Sequence, residues 1–238
     1  SEMCIRDSIK VATEPTFPPF EFVNTQTGEV SGFEMDLVRA VGKELGAKIE
    51  FQVLSFDAII PAMLSGTVEM GAAGFSITEE RKKSWDFSTP YRTDYVGLMV
   101  KKRSGFTSIE DLDGKVIGVS QGATTQGLIE QMIKDNGFSC KPEFRAFSGY
   151  PIIKSSLDAG NIDVFAMDRS TLAGYMNETV ELLQPEVKFG EQGYGVATKK
   201  GCDLSAVVDQ VICDRLADGW LDLSLIHISE PTRRSYIS

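Results

Sequence analysis

From Ile9 onward the apolar positions fall into two alternating rhythms: short β-rich runs, and longer stretches with apolar residues three and four apart. The first set predicts a strand IKVAT (9–13), a long loop and a helix GFEMDLVRAVGKELG (32–46). A strand KIEFQVL (48–54), a helix FDAIIPAMLSG (56–66) and a strand VEMGAAG (68–74) follow. The same order then returns, with a strand KVIGVS (115–120), a helix TQGLIEQMIKDNG (125–137), a strand KPEFRAF (141–147), a helix YPIIKSSLDAG (150–160) and a strand IDVFAMD (162–168). Gly46 and Gly66 close the first pair of helices, Gly137 and Gly160 the second, as expected where the residue after a helix takes positive φ. SGTVEMGAA also matches AGNIDVFAM locally. This pattern predicts an α/β protein of two lobes, each a small mainly parallel sheet flanked by helices. Residues 9–93 and 195–222 are expected to form lobe 1 and residues 94–194 lobe 2, with two hinge crossings near 89–97 and 190–198.

That architecture places the chemistry, because ligands of open α/β sheets sit beyond the carboxyl ends of the strands. In lobe 1 those ends are Thr13–Glu14 and Ala73–Gly74–Phe75–Ser76; in lobe 2 they are Ser120–Gln121 and Met167–Asp168. All four are expected to line one cleft. Just beyond one of them, Thr78-Glu79-Glu80 reads as a helix start, a hydroxyl cap followed by acids. Arg81 then occupies the third helical position, where a cation gains nothing from the dipole. Its planar fork suits a carboxylate, although Glu79, Glu80 and Asp86 offer it ordinary surface pairing.

The loop SQGATTQG (120–127) opens a helix and could hold a small anion on its N–H groups and hydroxyls, or Thr125 could simply cap the helix. It contains neither G-K-[ST] nor G-x-G-x-x-G, which argues against a nucleotide. Asp168 ends an apolar strand, where an acid needs a partner, either the cap of the next helix or a cation. An arginine and an anion nest opposite a carboxylate describe a receptor for a zwitterion, and hence an α-amino acid. In TEPTFPPFEF (13–22), Phe20 and Phe22 are expected in the core. Phe17, in a loop stiffened by prolines, could present its ring to a ligand side chain, and Glu14 could meet a donor or cation on it. Phe56 is a second wall or a core residue.

Composition narrows the classes further. A net charge of −10 over 238 residues argues against nucleic acid, and no apolar run reaches the length of a membrane span. The four cysteines show no C-x-x-C and no histidine at zinc spacing, so neither a metal nor another cofactor is expected. Cys202 and Cys213, if on one helix, stand about 16 Å apart along its axis, too far to pair. The ends, residues 1–8 and 223–238, lack either rhythm and are expected to be non-native tails; the second carries the only histidine, His227.

At these residues the chain resembles the polar amino-acid-binding branch of the type 3 extracytoplasmic solute-binding proteins, which deliver ligand to ABC importers. The resemblance rests on VATEPTFPPFEF, GFEMDL, FDAIIPAMLSG, AAGFSITEERKKSWDFSTPY, DLDGKVIGVSQGATT, IDVFAMD and YGVATKKG, in order and at normal spacing. It implies a two-strand hinge and lobes that close over one amino acid. By the family pattern Arg81 would grip the α-carboxylate, helped by the Ser76 region and by Thr125 or its neighbour Thr124. Asp168 would take the α-ammonium, with Ser76 and the Gly74 carbonyl assisting. Phe17 and Phe56 would sandwich the side chain, Glu14 would address its far end, Ala73 at its strand end would also meet the ligand, and Ser120, like Met167, would occupy a position that varies with ligand. Many relatives carry aspartate where Glu14 stands. The final helix breaks at DGWLDL, where relatives continue into an aromatic-basic segment.

The expected function is therefore non-catalytic capture of a polar L-amino acid, glutamine-like or basic. The expected partner is an ABC permease, the expected state a monomer, and the expected location the periplasm or the outer face of the membrane, with lipid anchoring as one mode of attachment. Two alternatives differ in class. A fold-sharing cyclohexadienyl or arogenate dehydratase would need a tuned acid or base, for which Glu14 is the only evident group. A ligand-sensing input domain would need a signalling module, which this sequence does not contain.

Overall fold

The structure is a computed structural model that describes residues 7–220. The expected tails lie almost wholly outside the described residues, as do Cys4 and His227. The chain forms two compact units, one reaching to Arg92 and resuming at Gly193, the other running from Thr93 to Gln192.

The first unit opens with β1 (Ser8–Thr13), β2 (Thr16–Phe17), β3 (Glu21–Val23), β4 (Val30–Ser31) and α1 (Phe33–Leu45). It continues through β5 (Lys48–Val53), α2 (Phe56–Leu64), β6 (Met70–Gly71), α3 (Glu79–Lys82) and β7 (Trp85–Phe87). The chain leaves along β8 (Arg92–Asp94). The second unit holds β9 (Val96–Lys101), β10 (Val116–Ser120), α4 (Thr125–Asp135), β11 (Glu143–Phe147) and α5 (Tyr150–Ala159). β12 (Val164–Asp168), α6 (Arg169–Tyr175) and β13 (Val180–Leu182) complete it. The chain returns along β14 (Gln192–Tyr194), which pairs with β8, and ends the first unit with β15 (Ala197–Lys199) and α7 (Asp203–Ala217).

The repeat in the sequence is a repeat in topology. Sheet order in the first unit is β5-β1-β6-β15-β7, and in the second β11-β10-β12-β9-β13. Within each, the first strand of the repeat lies between the second and third, parallel to both. A strand from outside the repeat then joins antiparallel, β15 in one case and β9 in the other.

Burial follows the pattern of each segment. β12 is buried at all five positions, which its continuous apolar run requires of a central strand covered on both faces. α1 turns Phe33, Met35, Leu37, Val38 and Val41 inward, each worth about 1.5–3 kcal/mol when fully buried. In the second unit Gly118 lets α5 approach the sheet: a Cβ there would lie 2.5 Å from Ile162 Cδ1 and 2.7 Å from Ile153 Cγ2. Gly46, Gly66, Gly137 and Gly160 all have positive φ.

Three expectations change. β1 starts at Ser8, inside the segment set aside as a tail, and pairs there with Lys48. The strand expected over 68–74 is shorter, Met70–Gly71, and the chain turns at Gly74, where φ is +59°. Phe20 is buried but Phe22 is only half-buried, and Glu21 takes the interior position instead. Phe20 lies outside β3, so no strand alternation links it to Phe22.

Candidate functional site

In the first unit the candidate residues gather where β6 gives way to α3. Thr78 caps α3, its Oγ1 accepting the Arg81 N–H at 3.1 Å, and this places Arg81 in the third helical position. The acids expected to compete for Arg81 are engaged elsewhere. Glu79 pairs with Lys82 at 2.7 Å and Glu80 with Lys83 at 2.5 Å, while Asp86 accepts from the Gly201 N–H at 2.7 Å. The Arg81 guanidinium donates to the Ser76 carbonyl at 2.8 Å and lies over the rings of Phe56 and Phe75, at 5.6 and 5.5 Å. Main-chain geometry and aromatic faces thus hold its fork in place. Ser76 is itself fixed by a bridge to Tyr194.

Phe17 packs on the turn above. Its Cε1 lies 2.5 Å from where a Cβ on Gly74 would be, so only glycine lets ring and turn meet this closely. Phe17 also contacts Phe20 at 5.3 Å and Tyr194 at 6.3 Å between ring centroids. Ala73 is buried in the same turn. Phe56 is a member of the core, stacked on Phe75 at 4.8 Å, as well as a face for Arg81. Glu14 is buried beside the start of α2. Burial and the neighbouring Asp57 carboxylate push its pKa from 4.5 to about 7, against the opposing effect of the Phe56 backbone N–H. Electrostatically this is a carboxylate that gains from a cation. A groove of about 650 Å³ elsewhere in this unit, lined by Trp85, Asp86, Ser88 and Asp209 among others, includes none of the candidates.

In the second unit Ser120, Thr125 and Asp168 are buried at the ends of β10 and β12 and at the start of α4. Thr125 is not the cap of α4: Thr124 holds that position, and Thr125 is the first helical residue. The Thr124 side chain makes no capping bond; its hydroxyl donates to Gln192 Oε1. Gln192 Nε2 in turn donates to Asp168 Oδ1 at 3.1 Å, so one buried amide bridges the two candidates. Asp168 occupies the cap position of α6 without making a side-chain capping bond. Asp94 supplies that bond, accepting from the Ser170 N–H at 3.0 Å and the Ser170 hydroxyl at 2.6 Å. Ser120 Oγ is buried with no hydrogen-bond partner among the described residues. Among the described residues no cluster of His, Cys, Asp and Glu could hold a metal ion.

Sequence reasoning missed Gln192, Asp57, Glu21 and Glu34. Gln192 stands between Glu191 and Gly193 at the second crossing, and nothing beside it in the chain marks a buried amide.

Two topologically matched α/β units, each with polar groups collected at its strand ends, define a two-lobe periplasmic-binding-protein fold. The chain belongs to the bacterial extracellular solute-binding proteins, family 3, matched over residues 9–224. It is 32% identical over 200 residues to the putative ABC transporter arginine-binding protein 2 of Escherichia coli (strain K12), covering 82% of this chain and 79% of that protein. Among solved structures it is similar to an ancestral arginine-binding protein bound to arginine, with 35% identity, a TM-score of 0.81 and coverage of 92% and 96%. The ancestral arginine-binding protein bound to glutamine is similar as well, with 34% identity, a TM-score of 0.78 and coverage of 95% and 97%.

Proposed function

We propose that this protein captures an L-amino acid with a cationic side chain outside the cytoplasmic membrane and delivers it, as a monomer, to an ABC permease. The observation that carries the choice of ligand is Glu14, a buried acid made harder to ionise by burial and by Asp57. A guanidinium or ammonium beside it would offset both effects, whereas a neutral amide would leave two acids uncompensated. In this reading Arg81 clasps the α-carboxylate, with Thr124, Thr125 and Ser120 as further donors. Asp168, held by Gln192, receives the α-ammonium, with Ser76 and the Gly74 carbonyl assisting. Phe17 and Phe56 flank the side chain, and Ala73 lines the turn between them.

The arginine-bound ancestral structure supports this reading; its glutamine-bound counterpart supports glutamine as the second one. The protein acts by binding alone in both, since Glu14 serves the ligand cation and not proton transfer. Titration calorimetry with arginine, lysine, ornithine, histidine, glutamine and cystine tests the choice. A cationic amino acid is expected to bind at micromolar affinity or tighter, about −8 kcal/mol or more. Tighter binding of glutamine than of every cationic ligand would overturn the assignment, and binding of none would overturn the function.

A further inference from the structure

Three residues that no ligand role uses lie buried behind the Gly74 turn. Glu21 and Glu34 are 1% and 0% exposed, and Tyr91 is buried with them. Glu34 is the second residue of α1, between the buried apolar side chains of Phe33 and Met35. Its Oε2 accepts the Gly74 N–H at 2.8 Å. Its other oxygen, both Glu21 carboxyl oxygens and the Tyr91 hydroxyl are shut off from solvent without a partner of ordinary hydrogen-bond geometry. The Glu34 N–H donates to the Phe20 carbonyl at 2.9 Å, which brings the start of α1 against the chain at Glu21, and both acids raise the Tyr91 pKa. Glu21 also pairs in register with Phe17 across β2 and β3, so one hairpin carries both the acid and the ring that rests on Gly74.

Two carboxylates in a shared dry site cannot both stay ionised. We propose that Glu21 and Glu34 hold one proton between them, and that the carboxylate so left on Glu34 positions the Gly74 turn and, through Ser76, the Arg81 fork. Only this last link rests on the ligand-binding reading given above. The proton resides on Glu21, which burial and then Glu34 drive well above its ordinary value, with Glu14 adding to the effect and Arg92 opposing it. Burial raises Glu34 too, but the Gly74 N–H, Glu21 and Tyr91 all favour its charged form. Glu34 thereby accepts from the turn, with the Glu21 carboxyl and the Tyr91 phenol favouring its charge, an arrangement that a second negative charge would break.

Infrared spectroscopy of the ligand-free protein at about pH 8.5, where Glu14 and ordinary carboxyls are ionised, reads the proton directly. The parent is expected to keep a carboxylic-acid carbonyl band that Glu21→Gln abolishes. An absent band in the parent, or one that survives Glu21→Gln, would overturn the shared proton whatever the ligand proves to be. Calorimetry with arginine then reads the positioning. Glu21→Gln should bind within about threefold of the parent, Glu34→Ala at least about tenfold more weakly, and Glu34→Gln, which offers Gly74 the same oxygen, within about threefold again. Parent-like binding by folded Glu34→Ala, or failure of Glu34→Gln to recover affinity, would overturn the positioning role. If Glu34→Ala does not fold, the two isosteric variants decide it: loss of more than about tenfold in either refutes the proposal.

Discussion

Replacing Glu14 with glutamine should make the ligand-free protein more stable and a worse receptor, and the two effects have one cause. Folding raises the Glu14 pKa from 4.5 to about 7, through burial and then Asp57. The folded state therefore binds more protons than the unfolded state between these values, and stability must fall as pH rises through that window. The contribution of Glu14 is neutral below about 4.5 and reaches its full cost above about 7. At about 1.4 kcal/mol per pH unit the window caps the cost at about 3 kcal/mol. The side chain keeps 7% of its surface exposed, and screening there brings the figure to about 2–3 kcal/mol. Glutamine keeps the shape and removes the charge, so thermal unfolding of Glu14→Gln at about pH 8 should occur several degrees above the parent. At about pH 3.5, a unit below the unfolded value of 4.5, the two melting temperatures should converge, since Glu14 is then mostly protonated in both states. Arginine binding should move the other way, weakened in the variant by about tenfold or more for loss of the charged partner. In the parent, arginine affinity should decline as pH falls below about 7, where a proton displaces the ligand cation from Glu14. An equal gain at both pH values would refute the electrostatic origin. No gain at about pH 8 would refute the burial cost itself.

Three other substitutions probe the remaining parts. Arg81→Ala should strand a ligand carboxylate at a cost of about 3–5 kcal/mol, roughly 10² to 4 × 10³ in Kd by calorimetry; binding within threefold of the parent would remove Arg81 from the site. Gly74→Ala combines φ of +59° with a Cβ 2.5 Å from Phe17 Cε1, and the sum of about 1–2 kcal/mol for the backbone and about 1–3 for the overlap should appear in chemical denaturation. A loss below about 1 kcal/mol would show that the ring yields freely. Gln192→Leu removes the amide between Thr124 and Asp168, and its expected cost of about 1–3 kcal/mol in arginine binding is checked by titration; unchanged affinity would mean that Asp168 needs no such support.

The periodicity of the chain was sufficient to locate both β-α-β-α-β sets, because strand and helix rhythms are local and each segment had to bury its own apolar face. It also exposed Arg81, whose place in α3 is set by the Thr78 cap three residues earlier and owes nothing to distant contacts. The alternation of aromatic residues around Phe20 misled, since the turn after Phe17 shifts the register and sends Glu21 inward. The helix expected from residue 125 begins there, and of the two readings open for Thr125 the cap falls away, because Thr124 holds that position.

What the order of residues could not disclose is which groups meet from distant parts of the chain. Asp94 and Ser170 are 76 residues apart, yet their bond takes over the cap of α6 and leaves Asp168 to Gln192. Glu34 and Gly74 are 40 residues apart, and nothing near either one marks an interior acid. Local patterns determine the elements, because helices and strands are stabilised by neighbours a few residues away. The proton balance of buried acids and the aim of polar side chains are decided by solvent exclusion and by partners that only the packed sheets bring within reach.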